Sequence, residues 1–306
     1  MIGKPRWEVE GRDWPNRAAS AFVQAGGLRW HLQRAGHGPA LLLLHGTGAS
    51  THSWRALLPL LAQRFDVVAP DLPGHGFTAT PGGDGLSLPG MARAVAALLE
   101  TLGVAPHVAV GHSAGAAVMA RLALDRRMNA NPLVSLNGAL LPLHGLAGAV
   151  FSPAAKLLAS TEVFPRLFAW RATLDSRMVE QLVRDTGSQL DAWGIELYRR
   201  LVRCSGHVAG TLGMMARWDL QPLARELPAL GSRLVVVSAT GDRTVPPSLG
   251  DRVVARVPGA RRHLLPGLGH LAHEEDPAGA AALITALCGA DIADSPTPVV
   301  VDRGVN

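Results

Sequence analysis

Cysteine is nearly missing from these 306 residues: Cys204 and Cys288 stand far apart and form no CxxC pair. That argues against a disulfide framework or a thiolate metal site and fits a reducing compartment. Lysine is as scarce, with only Lys4 and Lys156, so almost every cation is an arginine. Although the formal charge is +5, the arginines are scattered and show no basic run interleaved with aromatics, so no nucleic-acid partner is expected. Neither lysine follows a glycine-rich loop and precedes Ser or Thr, which removes a Walker A phosphate site. HExxH and spaced Cys/His patterns are missing too, so neither metal nor cofactor is expected. The most apolar long window, Leu133 to Phe151, is interrupted by Asn137, Pro142, His144 and glycines, which a bilayer-spanning helix does not accommodate. The first sixteen residues alternate charges with two tryptophans and hold no apolar core of signal-peptide length. The expectation is a cytoplasmic protein without a transmembrane segment, peripheral membrane contact being left open.

What the chain does have is 48% hydrophobic residues, enough for one large α/β domain with or without an insertion. Residues 21–24 and 28–34 read as two strands joined at Gly26-Gly27. Pro39 to Leu44 is a continuous apolar run, the pattern of a strand buried on both faces of a parallel sheet. Further strands are expected over 66–69, 108–111, 133–136, 233–238 and 261–265. Helices over 54–63, 88–102, 248–256 and 277–288 fall between or after them, with Gly103 as a helix stop. Alternation at this spacing implies right-handed crossovers and a mostly parallel, doubly wound sheet. From Asn137 to about Leu220 the strand pattern lapses, and segments around 154–158, 166–173, 177–190, 195–202 and 208–218 look helical. The expected organisation is therefore a first core part at 1–136 with an amino-terminal extension, a helical cap at 137–220, a second core part at 221–290 and a tail at 291–306.

The chemistry centres on Gly111-His112-Ser113-Ala114-Gly115, a Gly-x-Ser-x-Gly nucleophile elbow between an apolar strand and an alanine-rich helix. A serine hydroxyl needs a base within hydrogen-bond reach, and the base needs an orienting acid. In an open α/β sheet both belong on loops at the carboxyl ends of strands. Asp242 follows the strand ending at Ser238, and His270 follows the strand ending at Leu265. The order Ser113, Asp242, His270 is that of the hydrolase elbow pattern.

Alternatives stand beside each. Asp242 also suits an Asx turn, and Asp251 is the next acid. His273 rivals His270, but it sits among Glu274, Glu275 and Asp276 and reads as solvated, whereas Gly267 and Gly269 give the His270 loop freedom. The backbone N–H groups of Ala114 and of Thr47, in the loop His45-Gly46-Thr47-Gly48, are the expected oxyanion donors. His45, His75 and His112 come in the wrong order for the base and take supporting roles. His45 and His112, with Phe151, Phe168, Met214 and Trp218, are the expected substrate contacts. Gly74-His75-Gly76-Phe77-Thr78-Ala79 only superficially fits a dinucleotide loop, since no helix clearly opens there. Arginines and acids interleave between 162 and 203 and read as a solvated, salt-bridged face.

These motifs, with Asp71-Leu72-Pro73-Gly74-His75-Gly76, Gly241-Asp242-Arg243 and Gly269-His270, resemble the α/β-hydrolase superfamily over nearly the whole chain. More narrowly, four segments resemble the BchO-type magnesium-chelatase accessory proteins of bacteriochlorophyll biosynthesis: Gly11 to Asn16, His45 to Trp54, Asn137 to Leu143 and Met214 to Leu220. The resemblance implies a setting near magnesium insertion into protoporphyrin IX, with chelatase subunits as partners and a small ester or a tetrapyrrole as ligand. The Ser-His-Asp set implies ester hydrolysis; the family role also admits a non-catalytic, tetrapyrrole-binding accessory protein.

Overall fold

The computed structural model describes residues 3–142, 163–175 and 177–292, with side chains to 289. One eight-stranded sheet carries the molecule. Its strands are β1 (Ser20–Ala25), β2 (Leu28–Ala35), β3 (Ala40–Leu44), β4 (Asp66–Pro70), β5 (Val108–His112), β6 (Leu133–Leu136), β7 (Leu234–Ala239) and β8 (Arg261–Leu265), in the order β1-β2-β4-β3-β5-β6-β7-β8. β1 and β2 pair antiparallel, as do β2 and β4, and every later pairing is parallel. β3, β5, β6 and β7 are buried on both faces, which is why each reads as a largely apolar run, unbroken in β3 and carrying a single polar residue in each of the others. In register, Leu42 lies beside Ala109, Ala109 beside Leu133 and Leu133 beside Leu234. These central strands therefore end at nearly the same level, and the loops after them converge on one edge.

Helices cover both faces. They are α1 (Trp7–Glu10), α2 (Leu57–Leu61), α3 (Leu88–Leu102) and α4 (Ala114–Leu124) before β6; α5 (Val163–Leu174), α6 (Arg177–Asp185), α7 (Ala192–Val202), α8 (Ser205–Ala216) and α9 (Gln221–Glu226) between β6 and β7; and α10 (Pro247–Arg256), α11 (Ala272–Glu275) and α12 (Pro277–Ile292) after β7. α3 has the caps its sequence announces: Ser87 accepts from Gly90 N at 3.2 Å, and Gly103 closes the helix at φ 62. Leu42, Leu44 and Ala109 pack with α3 and α4 in one core cluster, while Leu41, Leu43 and Val110 pack with α2 and α12 in the other.

Between β6 and β7 the described residues hold helices and no strand: those expected over 166–173, 195–202 and 208–218 form within about three residues of their spans, the one expected over 177–190 ends at Asp185, and the one expected at 154–158 lies outside the described residues. The polar lead-in is more structured than its charge pattern suggested. Trp14 is buried against Phe77, Leu197 and Leu201, and Asp13 pairs with Arg200 of α7. Exposed pairs Arg184–Glu180 and Arg171–Asp175 show the salt-bridged surface that the interleaved charges imply. Among the described residues no helix is long and apolar enough to cross a membrane.

Candidate active site

The elbow forms because two glycines let a strand and a helix approach to backbone contact. A Cβ on Gly111 would fall 2.5 Å from Ala116 N, and one on Gly115 would run into the Leu44 carbonyl of the neighbouring strand. Between them Ser113 is forced to φ 52, ψ −117, a conformation that side-chain-bearing residues rarely adopt. It is held by Ser113 N donating to Leu136 O at 3.0 Å and by Ala139 N donating to Ser113 O at 3.0 Å. Ser113 thus sits at the top of the sheet facing a cavity of about 600 Å³.

His270 lines the same cavity. Its Nδ1 is 2.8 Å from Asp242 Oδ2, with both residues 5% exposed. The two readings of Asp242 prove compatible, because each uses a different oxygen: Oδ1 accepts from Thr244 N and Val245 N, both at 2.8 Å, as an Asx-type turn requires. Asp251 is not brought in; it pairs with Arg262 at 2.7 Å on the surface.

The loop bearing His270 is fixed rather than free, which corrects the expectation drawn from its glycines. Gly269 is needed for space: a Cβ there would strike Gly187 and Ser188. Its N–H donates to Glu275 Oε1 at 2.8 Å, and Leu271 N donates to Ser188 Oγ at 2.8 Å. Two further residues, His112, expected as a substrate contact, and Asn137, read as part of a resemblance segment, hold the carbonyl of His270 itself. His112 Nε2–H donates to it at 2.9 Å, and Asn137 Nδ2 donates to it at 2.8 Å and to Gly269 O at 3.0 Å. Burial, with His273 and His270 nearby, pushes the His112 pKa well below its ordinary value, so the ring is neutral.

His273 is another correction. It is 2% exposed, not solvated: its Nε2 lies 2.9 Å from Ser53 Oγ, and burial lowers its pKa to about 3. Glu274 is buried as well, accepting from Ser53 Oγ at 2.6 Å and Tyr198 Oη at 2.7 Å and pairing with Arg55. A run of charges on a four-residue helix looks solvated in sequence; only the fold shows that its first half turns inward, with His273 against Trp54 and Glu274 buried, while Asp276 stays exposed.

Thr47 and Ala114 both line the cavity beside Ser113. Of the expected substrate contacts, His112 and Trp218 line it. His45 does not: it is fully buried, its Nδ1–H donates to Gly46 O and its Nε2 accepts from Leu72 N, each at 2.8 Å, so both nitrogens serve the loop. Met214 lies behind Thr47, 1% exposed, accepting from its hydroxyl at 3.7 Å, and Phe168 packs on Phe164 away from the cavity. Phe151 lies outside the described residues. Sequence spacing marked these side chains as helical and apolar but did not say which face met the cavity. Residues not singled out as contacts line it instead, among them Val179, Val183, Val202 and Tyr198.

The sheet order, the strained serine on its elbow and the loops gathered beyond β3, β5, β7 and β8 define a class. A family model for the α/β-hydrolase fold matches residues 39–277, and the chain belongs to that family. Within it, the chain is 37% identical over 274 residues to the magnesium-chelatase 30 kDa subunit of Rhodobacter capsulatus, covering 89% of this chain and 95% of that protein. It is 28% identical to the 2-hydroxy-6-oxo-6-phenylhexa-2,4-dienoate hydrolase of Burkholderia cepacia, over 81% of this chain and 87% of that protein. Among solved structures, an α/β-hydrolase-fold protein from Burkholderia ambifaria superposes with a TM-score of 0.72 at 24% identity, over 87% of this chain and 97% of the other.

Proposed function

We propose that the chain is a serine hydrolase whose substrate is an ester carried on a tetrapyrrole, acting at or near magnesium insertion in bacteriochlorophyll biosynthesis. The observation that carries the hydrolase reading is one cavity wall holding both Ser113, at φ 52, and His270, with Asp242 bonded behind the histidine. In this reading Ser113 Oγ attacks the ester carbonyl and its proton passes to His270 Nε2. Asp242 holds the imidazole in the tautomer with Nδ1–H and stabilises the imidazolium. The N–H groups of Thr47 and Ala114 receive the developing oxyanion, each such donor being worth about 10²–10³ in rate. Collapse releases the alcohol, protonated by His270, and water then cleaves the acyl-enzyme by the same steps in reverse. Among the described residues no hydrogen bond joins Ser113 Oγ to His270; such contacts often tighten only once substrate is bound.

The helical region at 137–220 acts in this reading as a cap, its α6, α7 and α8 supplying Val183, Tyr198 and Met215 to an apolar chamber. The tetrapyrrole assignment rests on the relative from Rhodobacter capsulatus and on that apolar lining. The same two observations favour a second reading, a non-catalytic tetrapyrrole-binding accessory of magnesium chelatase. Incubation with a fluorophosphonate separates them at the bench: the first reading expects one adduct, located at Ser113 by peptide mass, and none on Ser113→Ala. A folded wild-type protein that takes no label would overturn it. In a bacterium lacking the corresponding gene, full pigment recovery with Ser113→Ala would establish the second.

A further inference from the structure

α5 is built inside out. Its buried positions are the small or compact Pro165, Ala169 and Ala172, which lie on the side packed against α8. Four of its six large apolar residues face away from the protein, Val163 being 71% exposed, Leu167 54%, Trp170 58% and Leu174 67%, while Phe164 and Phe168 are half-buried. At about 100° per residue these four fall within about 60° of one another, forming a single stripe along three turns. A helix of a water-soluble protein gains nothing by turning valine, leucine and tryptophan outward while burying alanine, and contiguous patches of this kind mark contact surfaces.

The flanks of the stripe indicate what it contacts. Arg166 and Arg171 fall on its two sides by the same helical geometry, both exposed, and Arg171 lies 4.0 Å from Asp175 beyond the helix end. α5 itself contains no acidic residue. Leucine and tryptophan bordered by arginines, on a helix lacking acids, is the arrangement that lies in the interface of an anionic bilayer: the apolar side chains enter the acyl region and the guanidinium groups stay at the headgroups. The next helix, α6, begins three residues after α5 ends and carries Leu182, which is 45% exposed and also lines the cavity above Ser113.

We infer that the outer face of α5 is a peripheral docking surface for an anionic membrane, placing the cavity mouth near the lipid interface where an apolar substrate resides. The membrane contact does not depend on Ser113 chemistry, and its test reads binding, not turnover.

The test is co-sedimentation of the full chain with large vesicles of phosphatidylcholine alone or with one-third phosphatidylglycerol. Binding is expected to be about tenfold stronger to the anionic vesicles and to weaken in high salt, and Leu167→Glu with Trp170→Glu is expected to abolish it without changing the melting temperature. Brominated lipids should quench the fluorescence of wild type more than that of Trp170→Phe, which keeps the aromatic bulk. Absence of vesicle binding, or equal binding by wild type and the double variant, overturns the proposal. So does a several-degree fall in melting temperature of the double variant, which would mean that the stripe packs inside the protein. A lipid-free dimer that the double variant turns into a monomer overturns it too, by assigning the stripe to a second copy.

Discussion

Asn137 leaves β6 at φ 44, and from that position its side chain reaches three backbone groups on two other loops. Its Oδ1 accepts from Ala239 N at 2.7 Å, where β7 ends toward Asp242, while its Nδ2 donates to Gly269 O and His270 O. One amide therefore sets the separation of the Asp242 loop from the His270 loop. Replacing it with alanine leaves a buried N–H and two carbonyls without that partner, at about 1–3 kcal/mol for each unsatisfied group. A loosened base costs up to about 10²-fold in rate. Asn137→Ala is accordingly expected to lower kcat of ester hydrolysis with little change in KM. Asn137→Gly, which relieves the positive φ but also removes the amide, should lower it as much. Recovery of kcat in the glycine variant alone would assign the effect to backbone strain. At this scale the sequence was legible where strand ends and loop placement bring side chains together: Ser113 and His270 line one cavity and Asp242 is bonded to His270. It was silent where one side chain serves distant backbone, because the asparagine after β6 looks like any loop asparagine until β7 and the His270 loop are placed around it.

Among the elements, the connection from α6 to α7 is tied to both the Asp242 and the His270 loops. Arg243 N donates to Thr186 O at 3.1 Å, His270 N to the same carbonyl at 3.4 Å, and Gln189 N to Glu275 Oε2 at 3.2 Å. Gly187 makes this possible: it sits at φ +88, and a Cβ there would collide with the Gly241 carbonyl. Gly187→Ala combines strain of about 1–2 kcal/mol with that collision, so the connection must lift off the loops beneath it. The expected result is a lower melting temperature together with a fall in kcat on a short soluble ester. Gly83→Ala is the control, since Gly83 also has a positive φ, +58, but nothing within 4 Å of the added Cβ. Equal activity loss in both variants would sink the idea. Strands and helices were readable at this level because burial on both faces writes largely apolar runs and helices write their caps. The docking of the inserted helices was not, since a wall of a cavity and an ordinary core face carry the same valines and methionines.

For the molecule as a whole, the unusual feature is how many histidines fold into its interior uncharged. Burial lowers the pKa values of His45, His52, His75, His112, His207 and His273, with His207 and His273 reaching about 3. His207 shows why they stay neutral: its Nδ1 accepts from Gly76 N and its Nε2–H donates to Gly48 O, both at 3.1 Å, an arrangement that needs one protonated and one free nitrogen. In the unfolded chain each takes up a proton near pH 6.5, and in the folded chain only near its depressed value. The unfolded state thus binds more protons throughout that window. The stability these rings contribute is present above pH 6.5 and is lost as pH falls toward 3, each ring contributing a slope of up to about 1.4 kcal/mol per pH unit. Asp71 acts in the same sense: burial opposes its ionisation, but His31, bonded at 2.8 Å, and the N–H of Phe77, donating at 2.9 Å, more than offset this and keep its carboxyl below the usual range. Glu274 acts in the opposite sense, since burial raises its pKa despite Arg55, but it is a single group against six rings. Lys4, lowered by burial to about 7, titrates above this window. Two such histidines alone correspond to about 4 kcal/mol at pH 5, a large share of an ordinary domain's stability. The urea midpoint is therefore expected to drop steeply between pH 6.5 and 5, and His207→Gln, which supplies a carbonyl acceptor and an amide donor but no proton site, should flatten that slope by up to one ring's share. A midpoint that holds level to pH 5, or a slope unchanged in His207→Gln, would show that these rings are not what ties the fold to neutral pH.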